Sequence, residues 1–319
     1  MQVLYLIPQS PYRTRLRSDT VWGLLVTAIG QVYGERRLLD VVEAAEAGEP
    51  FFTVSSAMPF YDTEDGQRVH CFPRPITAPY TPPPTDLAAL QRIKRAKKVH
   101  WLPQPEFEAW LQGRQGEAKL LETTATRVAV GPRATYTEHI AIDRLTGTTR
   151  AENGSGQLFT RTNYYLPGGG GLFVLVRGQT ELLEGAVRFL EHFGFGGDNT
   201  VGRGHFRTAW GTLKLAEPET PTHAITLSLY APTRAELEGI RQHRNACWYD
   251  LEIRRGRVGT HFVGAGVYRK RPVAVFREGS SFPALPQRLQ GRVQVVLELG
   301  DRRIRHSGLA FPVAARLAD

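Results

Sequence analysis

The strongest constraint in this chain is an order of elements that occurs twice. Near the start, the apolar run QVLYLI (2–7) is followed by SDTVWGLLVTAIGQVYG (18–34) and FFTVSSAMPF (51–60). The outer two are short and rich in strand-forming residues. The middle one places Val21, Leu24, Leu25, Ala28, Ile29 and Val32 along one helical stripe, with Ser18 and Asp19 as an N-cap signal and Gly34 as its stop. Beyond AEPETPTH (216–223), rich in proline and acid, the order restarts with AITLSLYAP (224–232), TRAELEGIRQHR (233–244) and ACWYDLEIRRG (246–256). Both halves therefore open strand, helix, strand.

That order, with antiparallel returns, predicts an α+β protein of two tandem ferredoxin-like (RRM-type) domains, residues 1–216 and 217–319. The second half lacks a clear second helix and is expected to be a degenerate copy. The first carries more: a strand and proline-stopped return at RVHCFPRPITAP (68–79), a linker at APYTPPP (78–84), and a helix with a basic end at TDLAALQRIKRAKKVHWL (85–102). An inserted region of strands and hairpins follows, from TRVAVGP (126–132) through TYTEHIAIDR (135–144) and SGQLFTRTNYYL (155–166) to GLFVLVRG (171–178). TELLEGAVRFLEHF (180–193) is a helix leading through glycines into the strand HFRTAWGTLKL (205–215).

Charge narrows the class of partner. Of 319 residues, 40 are Lys or Arg and 31 Asp or Glu, a net charge of +9, and only six of the basic residues are lysine. Guanidinium forks match phosphate geometry, so the balance suits nucleic acid, although a compositional bias toward arginine would produce the same surplus. No run approaches the ~18 apolar residues of a membrane-spanning helix. The uncharged start reads as a strand and not a signal peptide, so the expected location is the cytoplasm. Cys71 and Cys247 stand alone and read as core thiols; no zinc site, disulfide framework or other cofactor is indicated.

GFGGDNTVGRG (194–204) holds five glycines in eleven residues, far more than a helix stop requires. A dinucleotide fingerprint needs strand, glycines, helix; here the order is helix, glycines, strand, and no G-K-[ST] follows. The remaining reading is a side-chain-poor surface where another backbone or a nucleotide strand lies close, flanked by Arg203 and Arg207.

Several stretches together resemble one family. GFGGDNTVGRGHF is similar to the glycine-rich signature of RAMP proteins, the repeat-associated RNA-binding subunits of CRISPR systems. SDTVWGLL, FFTVSSAMPF with CFPRP, KKVHWLPQPEFEAWLQG, AIDRLTGTT with GQLFTRTNYYL, RKRPVAVFREGSSF and SGLAFPV resemble, in order, elements of the type III-A (Csm-type) subunit that caps the 5′ end of the guide RNA. The resemblance implies a non-catalytic protein that grips the repeat-derived 5′ tag of crRNA. It also implies partners: a large polymerase-palm subunit, the backbone RAMP subunit and, indirectly, target RNA. A metal-independent endoribonuclease acting on precursor crRNA is the alternative on the same fold. Its usual histidine after the first strand is absent from PQSPYRTRLRSDT, leaving His139 and His205 as candidate bases.

Candidate RNA contacts follow. Arg13, Arg15 and Arg17 alternate ahead of a helix N-terminus whose amides begin at Ser18, and an extended loop would point all three one way. Ser18 and Asp19 also read as helix caps, and Tyr12 as a possible stacking group. Arg92, Lys94, Arg95, Lys97 and Lys98 form a basic run that reads either as a solvated helix face or as a contact with RNA or an acidic neighbour. Arg133, His139, Arg144 and Arg150 lie in the region that in relatives presses on the guide, and Asp143 reads as a partner of Arg144. Gly194, Gly196, Gly197, Asn199, Thr200, Arg203, His205 and Arg207 complete the set. Glu278, Gly279 and Ser280 read as a turn packing the two halves together.

Overall fold

The computed structural model describes all residues except 80–86, 124–129, 150, 153–154, 157, 167, 257, 259–268, 285–287, 301 and 318–319. In it the first apolar run, β1 (Gln2–Pro8), becomes an interior strand whose alternation serves two cores: Leu4 and Leu6 face one, Val3 and Tyr5 the other. The chain continues through α1 (Ser18–Tyr33), α2 (Glu35–Glu46), β2 (Phe52–Val54), β3 (Met58–Asp62), β4 (Arg68–Pro73), α3 (Leu87–Ala96), β5 (Trp101–Pro103), α4 (Gln104–Leu111) and α5 (Glu117–Thr123). Then come β6 (Arg133–Ile140), β7 (Ala151–Glu152), β8 (Ser155–Gly156), β9 (Leu158–Tyr165), β10 (Gly170–Gly178), α6 (Glu181–Phe193) and β11 (Phe206–Thr212).

A seven-stranded sheet runs β11-β1-β10-β3-β4-β5, with β2 also pairing with β10, and its described pairings are antiparallel. Helices α1 and α6 cover the face of Leu4, Leu6, Val174 and Val176. The stretch 51–60, expected as one strand, is two. Ser55 breaks it because its Oγ accepts from the Leu175 amide and donates to the Ser56 carbonyl, replacing ladder bonds with side-chain ones. Gly34, with φ +90°, does end α1, but α2 follows at once.

The second half comprises β12 (His223–Thr226), α7 (Arg234–Gln242), β13 (Leu251–Arg254), β14 (Val273–Phe276), β15 (Ser281–Pro283), β16 (Gly291–Leu299), β17 (Arg302–Leu309) and β18 (Pro312–Ala315). Its strands form three separate antiparallel sheets, β15-β12-β18, β13-β14 and β16-β17. The strand expected over 224–232 stops at Thr226. There Thr226 Oγ1 donates to the Ser228 carbonyl and accepts from the Ser228 amide, turning the chain so that the Leu229 amide donates to Ser18 Oγ on α1. Capping of α7 is by sequence alone: Thr233 accepts from the Glu236 amide while Glu236 accepts from the Thr233 amide.

The halves share one core. Ile225, Leu227, Phe311 and Val313 pack with Val3, Leu102, Trp110, Phe173 and Leu175. The Glu278–Ser280 turn fastens them. Glu278 accepts from the Arg17 guanidinium and from Ser56 Oγ, and the Gly279 carbonyl accepts from the Ile76 amide at 2.7 Å. Gly279 sits at φ +89°, where a Cβ would strike the Arg74 carbonyl oxygen, so only glycine lets the two backbones meet. Cys71 and Cys247 are buried, and burial pushes the Cys71 thiol up to about 12.

Candidate RNA interface

Three segments distant in sequence converge at the β11 edge of the sheet. The first is the loop from Gln9 to Arg17. The second is the glycine loop, 194–205. The third is the hairpin formed by β6 and β9, whose register pairs Arg133 with Tyr165, Thr137 with Arg161 and His139 with Phe159. Tyr12 joins the first to the third by a pair of backbone bonds with Tyr164, at 3.2 and 2.7 Å. Its ring is 1% exposed and packs on Tyr164 and Phe206, so Tyr12 is a core residue here and not a base-stacking one.

The glycines are explained mostly by a neighbouring backbone, and that backbone is the chain's own. The Gly204 amide donates to the Pro11 carbonyl, the Gly197 amide to Thr14 Oγ1, and the His205 amide to Ser10 Oγ. Gly204 is buried at φ +74°, where a Cβ would strike the Phe195 carbonyl, and a Cβ on Gly196 would lie 3.1 Å from Thr14 Cβ. Gly194 caps α6 and is likewise buried. Gly202, at φ +78°, is exposed with open space around it.

Cations ring this junction. Arg13, 46% exposed at its side chain, donates to both oxygens of Asp198 at 2.9 Å, and Arg161 reaches the same carboxylate at 3.5 Å. Asp198 is the single non-glycine at positive φ among the described residues, φ +63°. The Arg203 guanidinium donates to Asn163 Oδ1; Asn163, 1% exposed, donates in turn to Thr137 Oγ1 at 3.0 Å. Arg15 lies over the Tyr164 ring at 5.4 Å. On the hairpin face of Thr137 and Asn163, His139 stacks on Phe159 and bonds to Thr137 Oγ1, while Arg161 sits over Phe159 at 5.1 Å. Tyr136, on the opposite face, is 73% exposed. Asn199 donates to the Phe193 carbonyl, and Thr200 is exposed beside it.

The other expected contacts sit elsewhere. Arg17 points away from Arg13 and Arg15, into the ion pairs with Glu278 and Glu252, because buried carboxylates hold it there. Ser18 is 4% exposed and bonded to Leu229, out of reach of a ligand. The N-cap residue of α1, Arg17, makes no side-chain cap bond; the Ser18 amide donates to Ser56 Oγ at 2.9 Å, and Asp19 accepts from the Thr20 amide at 2.8 Å while also binding Arg254 at 2.9 Å. Asp143 accepts from the Leu145 amide, closing the turn on which Arg144 is exposed, and no ion pair joins the two. Arg150 lies outside the described residues. Arg207 is exposed on the sheet face of Ile7, at a cavity of about 370 Å³ bounded by Gly168–Gly170, Asp62 and Arg68. The basic residues of α3 stand at the far edge of the sheet, beyond β4. Arg161, Phe159 and Tyr136 were missed by sequence reading. The regular alternation of LFTRTNYY was the available signal for the first two.

Among the described residues no cluster of three His, Cys, Asp or Glu could hold a metal ion, and no helix is long and apolar enough to cross a membrane.

The chain is similar to known proteins. Residues 219–314 match the family model described as the CRISPR Csm4 C-terminal domain. Over 239 residues the chain is 28% identical to the CRISPR system Cms protein Csm4 of Thermococcus onnurineus (strain NA1), covering 72% of this chain and 74% of that protein. Its fold is that of chains in the crystal structure of the Csm1-Csm4 cassette in complex with cA4 (TM-score 0.64, 18% identity, 100% and 98% of the two chains covered). A second likeness is to the Csm3-Csm4 subcomplex of a type III-A CRISPR-Cas interference complex (TM-score 0.64, 14% identity, 99% and 100% covered). A type III-B Cmr-beta complex bound to cognate target RNA and AMPPnP is more remote (TM-score 0.50, 13% identity, 89% and 86% covered). The fold is thus that of chains in CRISPR type III assemblies, and the matched C-terminal region is similar to that of a CRISPR subunit. Within that fold, the likenesses of residues 219–314 and of the wider sequence are to Csm4.

Proposed function

We propose that this chain is the subunit of a type III-A CRISPR effector that binds the repeat-derived 5′ tag of crRNA, without cleaving it, and joins the large polymerase-palm subunit to the backbone RAMP subunit. The Csm1-Csm4 and Csm3-Csm4 assemblies of its structural relatives support the two protein contacts. The observation that carries the RNA contact is the convergence just described: Arg13, Arg15, Arg161 and Arg203 from three segments, beside a hairpin with solvent-facing Tyr136 and Phe159. Guanidiniums neutralise phosphates, and aromatic rings on an exposed hairpin stack on unpaired bases. The strand order β11-β1-β10-β3, with α1 and α6 on one face, supports reading residues 1–216 as a ferredoxin-like domain. We read 217–319 as its reduced partner.

The test is binding of the full chain to RNA carrying a repeat-derived 5′ tag, across a salt series. Replacing Arg13, Arg15 and Arg161 together by Ala lowers the slope of log K against log salt by about 2, since each single-strand phosphate contact contributes about 0.7. An unchanged slope removes these residues from the site. Labelled precursor RNA incubated with chelator stays intact; discrete cleavage abolished by His205→Ala or His139→Ala overturns the non-catalytic reading.

A further inference from the structure

The guide site leaves one strongly charged surface unused. Helix α3 carries Arg92, Lys94 and Arg95, and the turn that ends it carries Lys97 and Lys98; all five are exposed, and none of them forms an ion pair among the described residues. Elsewhere the protein neutralises many of its cations: Arg13, Arg17, Arg68, Arg74, Arg254 and Arg305 each meet a carboxylate. Between Leu87 and Lys98 there is no acidic residue. The inward side of α3 is formed by Ala89, Ile93 and the buried Ala96, so at 100° per residue Arg92, Lys94 and Arg95 share the outward arc, with Lys97 and Lys98 in the exposed turn beyond. Arg74 donates to the Ala96 carbonyl at 2.7 Å, fixing the helix end.

Residue type sharpens the reading. In a chain with six lysines, three stand on α3 and the turn that ends it, and a fourth, Lys119, on α5, which packs against α3. Protein interfaces are depleted in lysine and enriched in arginine and aromatics. A compact, hydrated ammonium on a flexible stem suits phosphate contacts that ignore sequence. Position separates this surface from the guide site: α3 follows β4 and precedes β5, while the glycine loop enters β11. β11 and β5 are five strand spacings apart in the sheet, about 24 Å at 4.8 Å each. One or two nucleotides cannot touch both.

We propose that α3 is a second nucleic-acid surface, gripping the phosphate backbone of a strand that passes the far edge of the sheet, without reading its bases. This does not rest on the guide-tag reading. The experiment uses the full chain and a labelled single-stranded U30 RNA, which lacks any tag. Lys94→Gln, Lys97→Gln and Lys98→Gln together lower the salt slope by about 2, by the same 0.7 per contact, with the melting temperature unchanged. Three exposed arginines away from α3 (Arg36, Arg188 and Arg292) changed to Gln shift it far less. The loss persists in full when Arg13, Arg15 and Arg161 are already Ala, because sites this far apart act additively. Three results overturn the proposal: an unchanged slope, an effect that vanishes in that background, or retained U30 affinity with loss of a protein subunit. The last would make α3 a docking face for an acidic protein.

Discussion

Glu278 shows what a single side chain does here. It accepts from Arg17 and Ser56 with only 12% of its side chain exposed, and Arg17 is 13% exposed. Removing Glu278 leaves Arg17 with Glu252 alone and Ser56 Oγ without its acceptor, so Glu278→Ala costs about 1–3 kcal/mol, read as a lowered melting temperature. Gly204→Ala costs about 1–3 kcal/mol, because it must hold φ +74° and clear the Phe195 carbonyl. His70 sets a pH dependence. Burial first, then the Arg68 guanidinium, pushes it down from 6.5 to about 4, and its Nε2 bonds the Tyr5 hydroxyl at 2.9 Å. The unfolded chain takes up this proton below pH 6.5 while the folded one refuses it. Stability is therefore full above pH 6.5 and declines as pH falls toward 4. His70→Gln flattens that part of a melting-temperature profile; an unchanged profile removes His70 as its source. Burial moves His306 in the same direction, so some decline remains. The sequence showed the density of glycines around Gly204 but not which backbone they admit. That depends on where Pro11 and Thr14 lie, a contact some 190 positions away in the chain.

At the scale of elements, the β6–β9 hairpin exposes the aromatic residues of the proposed site. Tyr136 and Phe159 are exposed, and Leu145 at its turn is 97% exposed. Tyr136 and Leu145 bury little apolar surface, and Phe159 packs only under His139 and Arg161 at the hairpin surface, so these residues add little to folding. Tyr136→Ala with Phe159→Ala should leave the melting temperature within a degree or two while weakening tag RNA about tenfold, the scale of one lost base stack. Equal loss of stability and affinity would make the pair structural. Strand and helix order in the first half was legible because alternation and helical spacing are local signals. Arg161 was not, because its meeting with Asp198 follows from cross-strand register and from a loop in left-handed backbone. The failure to extend β12 past Thr226 had a similar origin: the competing bonds come from Ser228 and from α1.

For the whole molecule, the shared core makes the two halves one folding unit. Val3, Phe173 and Trp110 pack with Ile225, Leu227 and Phe311, and the Ser18 to Leu229 and Arg17 to Glu278 bonds cross the same boundary. Residues 1–216 expressed alone should lack a cooperative thermal transition, and a sharp one near that of the full chain would show an independent domain. The tandem order of elements was readable from sequence. The Glu278–Ser280 turn was also read as packing the halves together, but not its partners Arg17, Ser56 and Ile76, which lie more than 200 positions away. The central claim is that three segments make one seat for the guide's leading nucleotides. Its most direct test is photo-crosslinking of the assembled complex through 4-thiouridine in the 5′ tag, with crosslinked peptides mapped by mass spectrometry. The account predicts crosslinks in 9–17, 133–165 and 194–207. Crosslinks confined to the second half or to other subunits would contradict it.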